Sequence, residues 1–167
     1  MTDIKSGINP LFLREEDLRQ GIELLYFAYR DFTAEPDAIL AEIGFGRAHH
    51  RVIHFVGRNP RITVSELLTI LKITKQSLSR VLGQLVREEF IIQHEGPQDR
   101  RQRLLELTPK GVELERRLSD SQRRRFADAY RQAGAEAVEG YRKVLMGMIS
   151  EEDRERVFGP KASDDDS

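Results

Sequence analysis

A mainly helical chain with one small β-hairpin is predicted by three observations on these 167 residues. Apolar residues recur at helical spacing over long stretches near both ends. In the middle, two short amphipathic segments, each opening on a threonine, are joined by a connection too short for structure of its own. Two strand-like runs then flank an arginine-rich loop. Together these describe a winged helix-turn-helix over residues 63–108, with further helices added on either side.

In chain order, Asn9-Pro10 joins an N-cap residue to the proline favoured in a first helical turn. Leu11, Leu18, Ile22, Leu25, Tyr29 and Phe32 then keep helical spacing to about Thr33, and Glu35-Pro36-Asp37 should break that helix. A second helix is expected over 38–56, with Ile39, Ile43, Ala48, Val52, Phe55 and Val56 as its apolar positions. Gly57, with Pro60 close behind, should cap its C-terminus.

Thr63 and Glu66 form a capping box, after which Leu67, Leu68 and Leu71 should face a core. Lys72-Ile73-Thr74 is the tight connection, and the Thr74 oxygen is placed to accept from a first-turn amide of the next helix. That helix carries Leu78, Val81, Leu82, Leu85 and Val86 on one face, and Lys75, Gln76, Ser77, Ser79, Arg80 and Gln84 on the other. Phe90-Ile91-Ile92 and Leu104-Leu105-Glu106-Leu107 read as strands, with Gly96-Pro97 as turn punctuation between them. Thr108-Pro109 repeats the cap-plus-proline signal and opens a long helix to about Gln132, through Val112, Leu114, Leu118, Phe126 and Tyr130. Gly134 interrupts; a last helix is expected over 135–149 and a short amphipathic end over 154–158. Residues 1–8 and 160–167 read as flexible termini, the second carrying Asp164-Asp165-Asp166.

The formal net charge is −1, which argues against an indiscriminate nucleic-acid coat but not against a focused reader. From position 72 to 103 there are 7 basic residues (72, 75, 80, 87, 100, 101, 103) and 4 acidic ones (88, 89, 95, 99). The absence of cysteine removes a disulfide framework and a thiol sensor. No 18-residue apolar run and no signal-peptide core are present, so no membrane contact and a cytoplasmic location are expected. No nucleophile–base–acid set and no phosphate-cradling glycine loop stands in the sequence, so no enzyme is expected.

The polar face of the second short helix suits double-stranded DNA. Gln76 and Arg80 can pair bidentately with purines, while Lys75, Ser77, Ser79 and backbone amides suit phosphate. An ordinary solvated surface helix has a similar composition. The loop separates the two readings: Arg100, Arg101 and Arg103 on one hairpin tip would repel one another unless a narrow minor groove supplied negative potential. Asp99 is placed to hold one guanidinium by a charge-assisted pair.

These features together resemble the MarR (multiple antibiotic resistance regulator) family of bacterial transcription factors. The residues carrying the resemblance are Ser79-Arg80, the wing's Asp99-Arg100-Arg101, and Leu107-Thr108-Pro109-Lys110-Gly111, within a likeness spanning roughly 11–158. The sequence departs from that family at Lys72 and Glu89, where glycine is frequent; a positive φ at either would be strained. The resemblance implies a single unit of two parts: dimerisation helices at 11–34 and 109–158, and a winged DNA-binding lobe at 38–108. It also implies a ligand-responsive homodimeric repressor on a pseudo-palindromic operator. A small aromatic or phenolic effector would bind near Tyr29, His50 and His54. Without cysteine, the peroxide sensing of one branch of the family is excluded.

His49, His50 and His54 cluster, with His50 and His54 one helical turn apart, but no carboxylate or cysteine completes a metal set beside them. Polar contacts at an interface are the expected use, with neither metal nor cofactor. The competing function from another class is a winged-helix protein-interaction module that does not read DNA.

Overall fold

The computed structural model describes residues 10–159, so the expectations for Asn9 and for both termini lie outside the described residues. A 3₁₀ turn (Leu11–Leu13) leads into α1 (Glu15–Glu42), then α2 (Arg47–Arg58), β1 (Ile62–Thr63), α3 (Val64–Leu71) and α4 (Lys75–Arg87). The hairpin β2 (Ile91–Glu95) and β3 (Arg103–Leu107) follows, then α5 (Pro109–Ala133), α6 (Ala135–Met146) and α7 (Glu151–Phe158). The architecture is mainly helical with a small antiparallel sheet, as the sequence predicts.

The expected helical break at Glu35-Pro36-Asp37 does not occur. Pro36 lies inside α1, fully buried, and the chain turns instead at Ile43–Gly46, where Gly44 takes φ +73°. Proline at 36 has no N–H to give the carbonyl of Phe32. That carbonyl accepts from the side-chain amide of Gln122 on α5 at 3.5 Å. A long-range partner therefore takes up the acceptor that Pro36 leaves free.

Gly57, a C-cap by its sequence context, sits within α2; the helix continues to Arg58 and is capped at Asn59. A Cβ at 57 would stand 2.8 Å from Leu107 Cδ1, so glycine there lets α2 press against β3. The N-terminal signals were legible: Thr63 and Glu66 form the reciprocal capping box, and Thr74 and Thr108 accept from the Ser77 and Gly111 amides. Leu11 falls in the 3₁₀ turn rather than the helix, and Val112 on α5 is 55 % exposed. The helix expected over 135–149 ends earlier, as α6 at Met146, and the short end expected over 154–158 starts earlier, as α7 at Glu151 behind the Ser150 cap.

The sheet has the order β1-β3-β2. Its third strand, β1, is two residues long and carries no sequence signal of its own; it pairs Ile62 with Leu105 and Thr63 with Leu104. In the hairpin, Ile91 faces Leu107 and Glu95 faces Arg103. One core joins the end of α1 (Leu40), α2 (Val52, Ile53, Val56), α3 (Leu67), α4 (Leu78, Leu85), the sheet (Ile91, Leu105) and the start of α5 (Leu118). Burying side chains of this size contributes about 1.5–3 kcal/mol each, so this cluster is the main apolar support of the lobe.

The remaining helices are different. Phe32, Phe126, Tyr130 and Tyr141 make edge-on aromatic contacts that tie α1 to α5 and α6. Yet Ile22, Leu24, Tyr26 and Phe27 on α1, and Val144, Met148 and Phe158 beyond α5, are each more than half exposed. No helix among the described residues is long and apolar enough to cross a membrane.

Candidate nucleic-acid interface

Leu78, Val81, Leu82 and Leu85 bury one face of α4. That fixes the opposite face outward: Lys75, Gln76, Ser77, Ser79 and Arg80 are all exposed. Thr74 Oγ1 accepts from the Ser77 N–H at 3.1 Å and donates to Ser77 Oγ at 2.8 Å. No acid stands in the first turn of α4, so the positive end of the helix and its free amides add to the cations there.

The turn that delivers α4 requires a left-handed backbone at Lys72, φ +51°, and the turn after it requires one at Glu89, φ +64°. These are the two positions where the sequence departs from the resembled family's glycines, so the backbone geometry is kept at a local cost. Lys72 Nζ lies 4.0 Å from Asp153 of α7, a contact too exposed to offset much strain.

The wing tip is a folded turn. The Gly96 N–H donates to Gln102 O (3.1 Å), and the Gln102 N–H donates to Asp99 O (3.1 Å). A Cβ at Gly96 would stand 2.6 Å from that Asp99 oxygen. Asp99 works through the main chain: its carboxylate accepts from the Arg101 N–H at 2.9 Å, instead of the guanidinium pair expected from the sequence. Arg103 donates to the Arg100 carbonyl at 3.1 Å. Among the described residues Lys75, Arg80, Arg100, Arg101 and Arg103 have no ion-pair partner. By contrast Arg19, Arg116 and Arg156 are neutralised by acids one turn away.

At the base of the wing His94 contacts Glu106 at 3.2 Å, and Arg61 lies 3.9 Å from the same carboxylate. Of the other arginines near α2, Arg47 pairs with Asp37, and Arg51 donates to Tyr29 Oη at 3.0 Å.

Tyr29, His50 and His54 do come together. They line a cavity of about 210 Å³ with Arg47, Arg51 and Gln122. Burial pushes the His50 imidazole below its ordinary range, helped by neighbouring His54. Burial also lowers His54, against the opposing pull of Glu115 at 4.0 Å. Both rings are therefore neutral at pH 7 and offer one donor and one acceptor each. Among the described residues no group of three His, Cys, Asp or Glu stands close enough to share a metal ion.

His49, the third member of the cluster, turns away from this cavity. Its Nδ1 accepts from the Gly46 N–H at 3.0 Å, and its Nε2 lies 2.8 Å from Gln84 Oε1 on α4. Sequence reasoning placed Gln84 on the polar face but saw no partner for it; the only hint was its place on the Gln76–Arg80 face, i, i+4, i+8.

Comparison with known proteins agrees with this geometry. A MarR family model matches residues 43–102. The chain is 51% identical over 148 residues to the HTH-type transcriptional regulator PetP of Rhodobacter capsulatus, covering 89% of each chain. Among solved structures, a mutant MarR from E. coli complexed with operator DNA is similar, with TM-score 0.63 and 20% identity, over 84% of this chain and 99% of that one. Streptococcus pneumoniae FabT in complex with DNA is similar at TM-score 0.66 and 22% identity, over 79% and 94%. At such identities the structural likeness speaks for the fold alone.

Proposed function

The chain belongs to the MarR family of transcriptional regulators, and from that premise we propose that it is a homodimeric repressor reading a pseudo-palindromic duplex. Lys75, Gln76, Ser77, Ser79 and Arg80 enter the major groove, where Gln76 and Arg80 meet base edges and the others hold phosphate. Arg100, Arg101 and Arg103 reach the adjacent minor groove, with Asp99 keeping the wing tip in shape. The observation that carries this reading is the exposed set of unpaired cations on α4 and the wing, in a chain whose other exposed arginines are often neutralised in place.

The exposed apolar residues of α1, α6 and α7 support a second copy of the chain as the partner for 11–34 and 109–158, leaving 38–108 as the DNA-binding lobe. Apolar surface on this scale marks an interaction site. A small aromatic or phenolic effector fits the cavity at Tyr29, His50 and His54, between α1 and α2. Its binding would bias the spacing of the two α4 helices and weaken operator affinity.

The test is a mobility-shift titration with duplex from the promoter region of its own gene. A retarded complex at nanomolar protein, lost to specific competitor before non-specific competitor, is expected. Equal competition by any duplex would overturn sequence reading and favour a protein-interaction module.

A further inference from the structure

We propose that His49 is a positioning residue for DNA recognition: it fixes Gln84, half-buried at the edge of the reading face of α4, as a donor-only group. The proposal rests on the DNA-reading function above and adds two residues to it.

The proton on His49 can be placed by elimination. Nδ1 accepts from the Gly46 N–H at 3.0 Å, so Nδ1 carries no hydrogen. The neutral ring then carries its hydrogen on Nε2, and the atom 2.8 Å away on Gln84 must be the acceptor oxygen. The amide of Gln84 is thereby held one way round. Its oxygen is committed to His49, and among the described residues nothing accepts from its NH₂ group. A free glutamine can pair with adenine by using both halves of its amide. Gln84 in this arrangement can only donate, which suits a guanine or thymine oxygen or a phosphate, and disfavours a base that presents a donor there.

The ring is also held from behind. It stacks on Phe45 with centroids 4.5 Å apart and planes 7° apart. Phe45 in turn meets Phe90, the residue before β2, edge-on at 5.3 Å. The turn between α1 and α2, the C-terminal part of α4 and the root of the wing thus share one side chain. Gly46 and Gly44 supply the backbone of that turn, and Gly44 alone has the positive φ.

The two nitrogens can be separated chemically. Asparagine at 49 places an acceptor where Nδ1 stands and cannot reach Gln84. Glutamine at 49 places a donor where Nε2 stands and surrenders the bond from Gly46. The experiment measures the affinity ratio between a duplex enriched by the wild-type protein from a random pool and a scrambled duplex, with melting temperature alongside. His49→Asn and Gln84→Ala should each lower the ratio about three- to tenfold, as loss of one hydrogen bond would. The double variant should be no worse than either single one. His49→Gln should stay within about twofold of wild type even if it melts earlier. Gln84→Ala leaves the α2 cap intact, so it reports even if a position-49 variant folds poorly.

Wild-type ratios in His49→Asn and Gln84→Ala, or additive losses in the double variant, would overturn the proposal and leave DNA reading standing. A wild-type protein with no preference between the duplexes would overturn both.

Discussion

Replacing Gly111 by alanine should destabilise the winged lobe, against the usual trend for helix glycines. Gly111 sits in the first turn of α5, packed on the main chain that enters the wing. The Thr108 N–H donates to Phe90 O at 3.1 Å, Thr108 Oγ1 donates to Glu89 O at 2.6 Å, and Lys110 Nζ donates to Glu88 O at 2.9 Å. A Cβ at 111 would lie 2.1 Å from that Phe90 oxygen and 3.3 Å from Leu107 Cβ. Carbon seldom approaches a carbonyl oxygen closer than about 3.3 Å, so the two segments must part by roughly 1 Å. Overpacking of this kind costs about 1–3 kcal/mol. A strained hydrogen bond adds about 0.5–1.5 kcal/mol. Alanine's better helix propensity returns about 1 kcal/mol. The net loss is about 0.5–3.5 kcal/mol, or a fall of roughly 1–14 °C in Tm for a chain this size. Thermal melts at one fixed protomer concentration measure it. Gly83→Ala is the control: its new methyl meets only the mobile Arg87 guanidinium at 3.2 Å, so it should gain about 0.5–1 kcal/mol. A Gly111→Ala protein that melts at or above wild type would refute the close-contact reasoning.

Glu89→Gly should stabilise by about 1 kcal/mol, because φ +64° strains an L-residue there; an unchanged denaturant midpoint would show the strain to be absorbed elsewhere. Arg101→Ala should weaken operator binding and reduce the slope of log affinity against log salt by about 1; an unaltered slope would count against the wing's role in binding DNA. His50 and His54 have folded pKa values below the ordinary 6.5, so the unfolded chain protonates first on acidification. Their contribution is intact above about pH 6.5 and is lost as pH falls through the lower folded values. The His50→Gln, His54→Gln double variant should therefore lose less Tm than wild type between about pH 7.5 and 5.5, and an equal loss would contradict the burial argument.

The parts of the fold legible in the sequence are those with local causes. Thr63 with Glu66, Thr74 and Thr108 with Pro109 mark three helix starts, because a cap needs only residues three apart. The misread positions are those settled by distant partners. Pro36 stays helical with its ring fully buried, and the carbonyl it orphans meets Gln122 of α5 at 3.5 Å. A glycine stands at 57 inside the helix because Leu107, far along the chain, leaves no room for a side chain there. β1 is too short for any alternation to reveal; it exists because β3 offers it an edge. In the site, the outward residues of α4 followed directly from burying its leucines. The Asp99 contact did not: the carboxylate has a nearer donor in its own turn than any guanidinium. His49 and Gln84 could not be paired from sequence, since 35 positions separate them.

The most direct measurement is selection of bound duplexes from a random pool by the purified full chain, followed by sequencing. A two-fold symmetric dimer laying α4 into successive major grooves predicts enriched sites with two inverted half-sites, centred about 10–10.5 base pairs apart. Enrichment of single, asymmetric sites, or no enrichment at low salt, would contradict it.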